Sequence, residues 1–388
     1  MRQTTDPAQS RLIIGCMTGT SLDGIDAALV GVVGRGLSMH ARVLGLVSRP
    51  LGKCSEVLRA MAAGEAHAPI AYLQAARDLG HVHAEAAADL IRETGATKVD
   101  FLVAHGQTIW HAPADRDAYG RGLSWQIFDP WPVVSRLGLP VCYDLRQADL
   151  AAHGQGAPIT PLADLILYRS LPRPSMVVNL GGVCNVTWLA DHSPAGVTGG
   201  DIGPCNILLD TLVRRLYPGL GYDDGGRLAS GGRVSDGFIA AAYENPFFVE
   251  SKTGARRSTG REDFTDGWVG SLIERFASRG LTSADMLASG CEFIARFIVQ
   301  YAKEKSGAGS LVIAGGGARN LHLVQRISTL AGEATRTVTS DQVGIGVEAR
   351  EAAGFAVLGA LSQDGVPITL PQVTGSRSPG VAGVWAGV

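Results

Sequence analysis

A chain of 388 residues with 46% hydrophobic and 18% charged side chains can bury a large core in two or three packed units, which excludes wholesale disorder and a coiled-coil rod. Lys and Arg number 34 against 36 Asp and Glu, a formal net charge of -2, so no general electrostatic pull toward nucleic acid or an anionic membrane is expected. The 51 glycines follow no collagen-like period and must serve turns and close backbone approaches.

Residues 1–11 are polar, and the apolar run after them is interrupted by Asp23 and Asp26. That is too soon for a membrane span or a signal sequence, so a soluble cytoplasmic protein is expected. Two β-type runs, 12–17 and 25–33, flank a turn rich in Gly, Thr, Ser and Asp, and read as a hairpin extended by a third strand at 41–47. Alanine-rich helical stretches follow, the longest over 70–94, and then a strand at 99–104 that ends in His105-Gly106-Gln107-Thr108. The same grammar restarts at 176–189, where an apolar run, the turn Gly181-Gly182 and a second apolar run repeat the plan of the first hairpin. Helices are expected over 205–215 and 284–305, and a buried strand at 310–314 runs into Gly315-Gly316-Gly317. The expected fold is α/β, with two copies of one mixed-sheet plan around a cleft. The first lobe is placed at 1–145 and the second at 146–365, with 366–388 packing back on the first.

Backbone N–H groups in the turns at 19–24, 181–182 and 315–317 can converge on an anion, and the missing side chains let phosphate oxygens approach. Taken singly, each turn is more readily a tight turn with no ligand, and no Walker A or dinucleotide-binding glycine pattern occurs. Three such turns in a duplicated plan favour a nucleotide site. Phosphoryl transfer also needs a carboxylate to accept a proton, and Asp23, Asp26 and Asp201 are the candidates beside the turns. Asp201 precedes a helical run, so a helix cap is its bland alternative, and Asp26 could equally face solvent from its strand. His105 and His111 stand where a strand end lines a ligand pocket, while His81 and His83 fall inside a helix. No spacing supports a structural metal. Cys16, Cys54, Cys142, Cys184, Cys205 and Cys291 form no C-x-x-C pair and read as reduced, buried thiols. Lys252, Arg256, Arg257 and Arg261 read first as a solvated basic loop, although guanidinium groups suit a phosphate or a carboxylate.

Gly15-Cys16-Met17-Thr18-Gly19-Thr20-Ser21-Leu22-Asp23-Gly24-Ile25-Asp26 resembles the opening signature of the anhydro-N-acetylmuramic acid kinases, within the actin/hexokinase/Hsp70 superfamily. Further blocks follow in the family's order: His105 to Ile109, Asp144-Leu145-Arg146 with Asp149, Gly154 to Pro158, and Asn179 to Gly182. Ser258 to Glu262, Gly315 to Asn320, Glu351-Ala352 and Leu370 to Gly375 complete the series. The resemblance implies two actin-like, ribonuclease H-like lobes. It also implies an enzyme that uses ATP with Mg2+ and water to open the 1,6-anhydro ring of anhydro-N-acetylmuramic acid, phosphorylating O6 to give N-acetylmuramic acid 6-phosphate in cell-wall recycling.

Carried over residue by residue, Asp201 would be the general base that takes a proton from water. Gly19, Thr20, Ser21, Asp23 and Gly24 would meet the nucleotide phosphates, and Asp26, Gly181 and Gly182 would also bind the nucleotide. Gly315, Gly316, Gly317 and Asn320 would meet the adenosine end. His105, Gln107, Thr108, Arg146 and Glu351 would meet the sugar. For Arg146 the choice lies between gripping the lactyl carboxylate and bracing the lobe junction through Asp144 or Asp149, with Arg257 the second candidate for the carboxylate. Gly200 and Ile202 flank Asp201 where the family carries phenylalanine and threonine. His153 opens a block that the family begins with glycine, and Arg257 replaces a lysine. These changes touch pocket lining, so another anhydrosugar such as levoglucosan is the alternative substrate, and a nucleotide-dependent switch of the same fold is the alternative class. Small-molecule partners are expected rather than nucleic acid or membrane, and a homodimer is left open.

Overall fold

The computed structural model describes residues 10–19, 22–112, 120, 122–251, 259, 263–305 and 307–388. It is a mixed α/β structure divided into two compact units. One holds the chain up to Arg169, Ser193–Ala195 and Gly344–Val388; the other holds Ser170–His192 and Gly196–Val343.

In the first unit, β1 (Ser10–Thr18), β2 (Gly24–Val33) and β3 (His40–Pro50) form an antiparallel meander, with Cys16 opposite Ala27. The strand β4 (Phe101–Ala104) lies parallel to β1. A separate hairpin follows, β5 (Gln107–Ala112) with β6 (Leu123–Ile127), before β7 (Val141–Tyr143) pairs parallel to β4. In the second unit, β8 (Ser175–Leu180), β9 (Val183–Leu189) and β10 (Val197–Pro204) repeat the meander. There β11 (Ser310–Ala314) lies parallel to β8, and β12 (Arg336–Thr339) parallel to β11. The last strand, β13 (Val384–Ala386), returns to pair with β7. The two sheets therefore run β13-β7-β4-β1-β2-β3 and β12-β11-β8-β9-β10. Without β13 they have the same order, the arrangement expected of two actin-like lobes.

The long helix spans Pro69–Thr94, with proline in its first turn and Gly95 (φ 65°) closing it, as capping chemistry requires. Its buried alanines, with Leu79 and Leu90, pack on the β1–β2 side of the sheet. Residues 146–169 and 344–365, placed in the second lobe on sequence, pack in the first unit. Helix Ala349–Gln363 crosses β1 so closely that a Cβ on Gly15 would lie 1.9 Å from the Ala352 carbonyl oxygen. It is tied to helix Pro161–Leu167 by the buried pair of Arg350 with Asp164, at 2.9 Å from Nε to Oδ1. All six cysteines are free and buried. Among the described residues no helix is long and apolar enough to cross a membrane.

Candidate active site

The candidate residues of the first unit gather at the ends of β1, β2 and β4 and at the start of helix Ala349–Gln363. Between β1 and β2, Leu22 N–H donates to the Gly19 carbonyl at 3.3 Å, and Ser55 and Arg59 both donate to the Leu22 carbonyl. Asp23 is exposed in this turn, and Gly24 opens β2 with Arg49 O 3.0 Å from where a Cβ would stand. Thr20 and Ser21, assigned to phosphates, lie outside the described residues. Asp26 is half-buried rather than turned to solvent, and its Oδ1 accepts from Ser48 Oγ at 2.5 Å. Burial pushes its carboxyl above the usual range. The Ser48 hydrogen bond opposes that shift, and the nearby Glu348 and Asp23 charges add to it.

The loop after β4 carries His105, held by His105 N–H to Cys16 O at 3.1 Å. Gly106 there has φ 71°, with Ile127 O 3.1 Å from where a Cβ would stand, which suits glycine. Arg146 donates to His105 Nε2 from Nε (3.3 Å) and Nη2 (3.0 Å), and from Nη1 to the Gly156 carbonyl at 2.7 Å. Accepting at Nε2 places the imidazole proton on Nδ1. Burial, reinforced by the Arg146 charge, holds His105 well below its ordinary pKa, so the ring is neutral. The alternative reading of Arg146, a brace to Asp144 or Asp149, is not formed: neither carboxylate lies within ion-pair distance of it. Burial lowers the Arg146 pKa to about 10, against the opposing pull of Glu351 and Asp149. Glu351 sits in the first turn of its helix. Burial raises its carboxyl, and the neighbouring Arg350 opposes that rise.

Gln107 is buried on β5, with Nε2 donating to Thr108 O at 3.3 Å. Thr108 Oγ1 accepts from Gln126 Nε2 at 3.0 Å. Gln126 also reaches Ser124 Oγ at 2.7 Å, and Ser124 meets His111 Nδ1 at 3.0 Å. Sequence reasoning missed Gln126 and Ser124, because only the cross-strand register of the hairpin sets them beside Thr108 and His111.

In the second unit Asp201 lies on β10, opposite Asn185 on β9, where the register slips between Asp201 and Gly203. Such a bulge re-aims a side chain and relieves Ile202 of a ladder partner. Asp201 Oδ2 accepts the backbone N–H of Thr259 at 2.7 Å. The cap reading of Asp201 fails: helix Asn206–Leu216 is preceded by Cys205 at its N-cap. The N–H groups of Cys205, Asn206 and Ile207 are also spent, donating to Gly182 O, Gly181 O and Gly182 O at 2.9, 3.0 and 3.1 Å. The turn Gly181-Gly182 therefore closes that helix start with its carbonyls, and an anion cannot take those three donors.

Gly315 (φ 79°) and Gly317 press on the end of β8. A Cβ would lie 2.5 Å from Asn179 Oδ1 at Gly315 and 2.7 Å from Leu180 Cβ at Gly317. At Gly316 the nearest atom would be Asn206 Nδ2 at 3.9 Å, so this glycine borders open space. The turn's own hydrogen bonds run from Ala318 N to Gly315 O and from Asn320 N to Gly317 O, which leaves the N–H groups of Gly316 and Gly317 outside them. Gly317 is buried and Gly316 exposed, so a phosphate or ribose oxygen fits the backbone at Gly316. Asn320 caps helix Leu321–Ala331, accepting from Leu323 N at 2.9 Å.

Among the described residues, no group of three His, Cys, Asp or Glu could hold a metal ion. His83 is a core residue, with Nδ1 at 2.8 Å from Leu79 O and its ring against Phe128. Lys252, Arg256, Arg257 and Arg261 lie outside the described residues. His153 sits at φ 63°, a conformation that suits glycine.

The chain matches the family model for anhydro-N-acetylmuramic acid kinase over residues 11–386. It is 34% identical to the anhydro-N-acetylmuramic acid kinase of Caldanaerobacter subterraneus subsp. tengcongensis, over 97% of this chain and 96% of that one. It is 33% identical to the protein of the same name from a Picosynechococcus species, over 96% and 98%. Among solved structures it is similar to the activator of the 2-hydroxyisocaproyl-CoA dehydratase from Clostridium difficile with bound ADPNP, at 12% identity and a TM-score of 0.44, over 91% of this chain and 95% of that one. With that match and those identities along nearly its whole length, this chain belongs to the anhydro-N-acetylmuramic acid kinase family.

Proposed function

We propose that the protein opens the 1,6-anhydro ring of anhydro-N-acetylmuramic acid with water and phosphorylates O6 from ATP, forming N-acetylmuramic acid 6-phosphate in cytoplasmic cell-wall recycling. The observation that carries this reading is the family match over residues 11–386. Asp201 is the general base: it accepts a proton from the water that attacks C1, and O6, released as the C1–O6 bond breaks, attacks the γ-phosphorus of ATP. Thr259 N–H on Oδ2 supports that role by fixing the plane of the carboxylate.

Gly19, Thr20, Ser21, Asp23 and Gly24 are assigned to the phosphates, and Asp26 to the nucleotide. Gly181, Gly182, Gly315, Gly316, Gly317 and Asn320 build the nucleotide end, Gly316 through open backbone and Asn320 by capping the next helix. Mg2+ carried in on the nucleotide would supply positive charge to offset that of the phosphates. His105, Gln107, Thr108, Arg146 and Glu351 are assigned to the sugar, with Arg146 holding the lactyl carboxylate. In support, its guanidinium meets only neutral acceptors, His105 and a carbonyl, and its fork geometry matches a carboxylate. A homodimer is the assembly to look for by light scattering.

Phosphosugar formation from ATP and Mg2+ should require anhydro-N-acetylmuramic acid and be weaker with levoglucosan. Asp201→Asn should lower kcat by roughly 10²-fold or more while the fold is kept. ATP hydrolysis indifferent to sugar would point to a nucleotide switch, and faster turnover of levoglucosan to the other substrate.

A further inference from the structure

We propose that Asp149, clamped by Thr374 from the C-terminal segment, is the positioning residue that sets the Arg146 guanidinium, and so tunes recognition of the sugar's carboxylate. The last clause rests on the reading of Arg146 given above; the positioning itself does not. Asp149 is 3% exposed, and both its oxygens are engaged. Oδ2 accepts from Gly156 N–H at 2.7 Å and Oδ1 from Thr374 Oγ1 at 2.6 Å. The carbonyl of that same Gly156 takes Nη1 of Arg146 at 2.7 Å, while the other edge of the guanidinium rests on His105 Nε2. The Asp149 N–H holds the main chain of Arg146, donating to its carbonyl at 3.2 Å, while the Asp149 carboxylate reaches the guanidinium only through the N–H and C=O of one residue, Gly156.

The loop between them has little freedom. A Cβ on Gly154 would lie 2.1 Å from Asp149 Oδ2, and Gly156 has φ 71° with its Cα packed toward Leu150. Two backbone bonds fasten the same loop to the C-terminal segment: Gln155 N to Thr374 O at 3.0 Å, and Arg377 N to Ala152 O at 2.7 Å. A threonine 225 residues from Asp149 along the chain therefore closes the support. Removing its hydroxyl leaves a buried carboxylate oxygen short of a donor, and Asp149 must turn to find another. That turn loosens Gly156 and, through it, Arg146.

The test compares Thr374→Val, which keeps shape and removes the donor, with Thr374→Ser, which keeps the donor. Two readouts are taken on the full-length protein. Imidazole 15N spectra, with His105 assigned through His105→Gln, report the guanidinium on Nε2. Thr374→Val should shift the His105 Nε2 resonance and Thr374→Ser restore it. The KM for anhydro-N-acetylmuramic acid should rise about threefold to tenfold in Thr374→Val, the scale of one hydrogen bond, with kcat and the KM for the lactyl-free anhydro-N-acetylglucosamine unchanged. An unmoved His105 resonance in folded Thr374→Val overturns the proposal, and so does an equal rise in KM for both sugars where Arg146→Lys weakens the lactyl sugar selectively. Arg146→Lys separates the two readings. If it changes both sugars alike while Thr374→Val still moves His105, the positioning stands and the carboxylate role of Arg146 falls.

Discussion

At the scale of single residues, the buried histidines make the sharpest statement about pH. Burial lowers the pKa of His83 to about 4, with its Leu79 hydrogen bond opposing; an unfolded histidine titrates near 6.5. Between those values the unfolded chain binds the extra proton, so stability falls as pH drops below 6.5 and rises again toward neutrality. Asp210 acts in the opposite sense: burial raises its carboxyl to about 6, so the folded state holds the extra proton and gains stability on acidification. Isolating His83 therefore needs a variant. His83→Gln should cost stability at pH 7, and its deficit relative to the parent should shrink by about 2 kcal/mol at pH 4.5, given a native pKa of about 4. Urea titrations at the two pH values check this, and a constant deficit would contradict it. Neither His83 nor the Arg146–His105 pair was legible in this detail. Sequence places His105 at a strand end, but its partner lies 41 residues on, and nothing local tells a buried neutral imidazole from a ligand.

At the scale of elements, glycine separates packing from ligand approach. The turns at 181–182 and 315–317 were legible as punctuation after apolar runs, yet their division of labour was not. Gly315 and Gly317 are small because Asn179 and Leu180 leave no room, whereas Gly316 is open. The bulge that aims Asp201 was hidden because a strand with one extra residue keeps an ordinary apolar pattern, and only pairing with β9 exposes the slip. In the sequence Gly15 is merely part of a signature. In the structure it is where helix Ala349–Gln363 crosses β1, and an added Cβ would meet backbone atoms of Ala352 at 1.9 Å and Ala356 at 2.6 Å. Backbone cannot yield as a side-chain tip does, so Gly15→Ala should destabilise by about 1–3 kcal/mol or more. Gly267, exposed early in helix Asp266–Ala277 with nothing closer than Thr265 Oγ1 at 3.8 Å, is the control. Gly267→Ala should be neutral or stabilising, since alanine loses less backbone freedom in a helix. Urea midpoints of the two variants check the contrast, and equal midpoints would refute it.

At the scale of the whole molecule, the duplicated topology was legible in the two hairpins, but the way the chain closes its first unit was not. Helix Ala349–Gln363 buries nearly every side chain, so its sequence carries no polar face to say which sheet it covers. Proximity along the chain favours the second unit; packing on β1 and β2 and the ion pair of Arg350 with Asp164 place it in the first. The first unit is therefore assembled from distant parts of the chain, while the second lies wholly within one stretch, 170–343, interrupted only by Ser193–Ala195. A chain ending at Val343 would lose that helix, β13 and the Thr374 clamp together. The face of β1 and β2 that the helix covers would be left open to water, and Asp164 would be left without Arg350, a loss of a kind that costs about 3–5 kcal/mol by itself. Against a total stability of about 5–15 kcal/mol, the first unit should not survive. The second unit keeps β8 to β12 and their helices. Hydrogen exchange read by mass spectrometry should then show amides of β1, β2 and β4 exchanging freely in the truncated chain while those of β8, β9 and β11 stay protected. Loss of protection in both units together would mean that the second depends on the first, and retained protection in β1 and β2 would mean that the helix is dispensable.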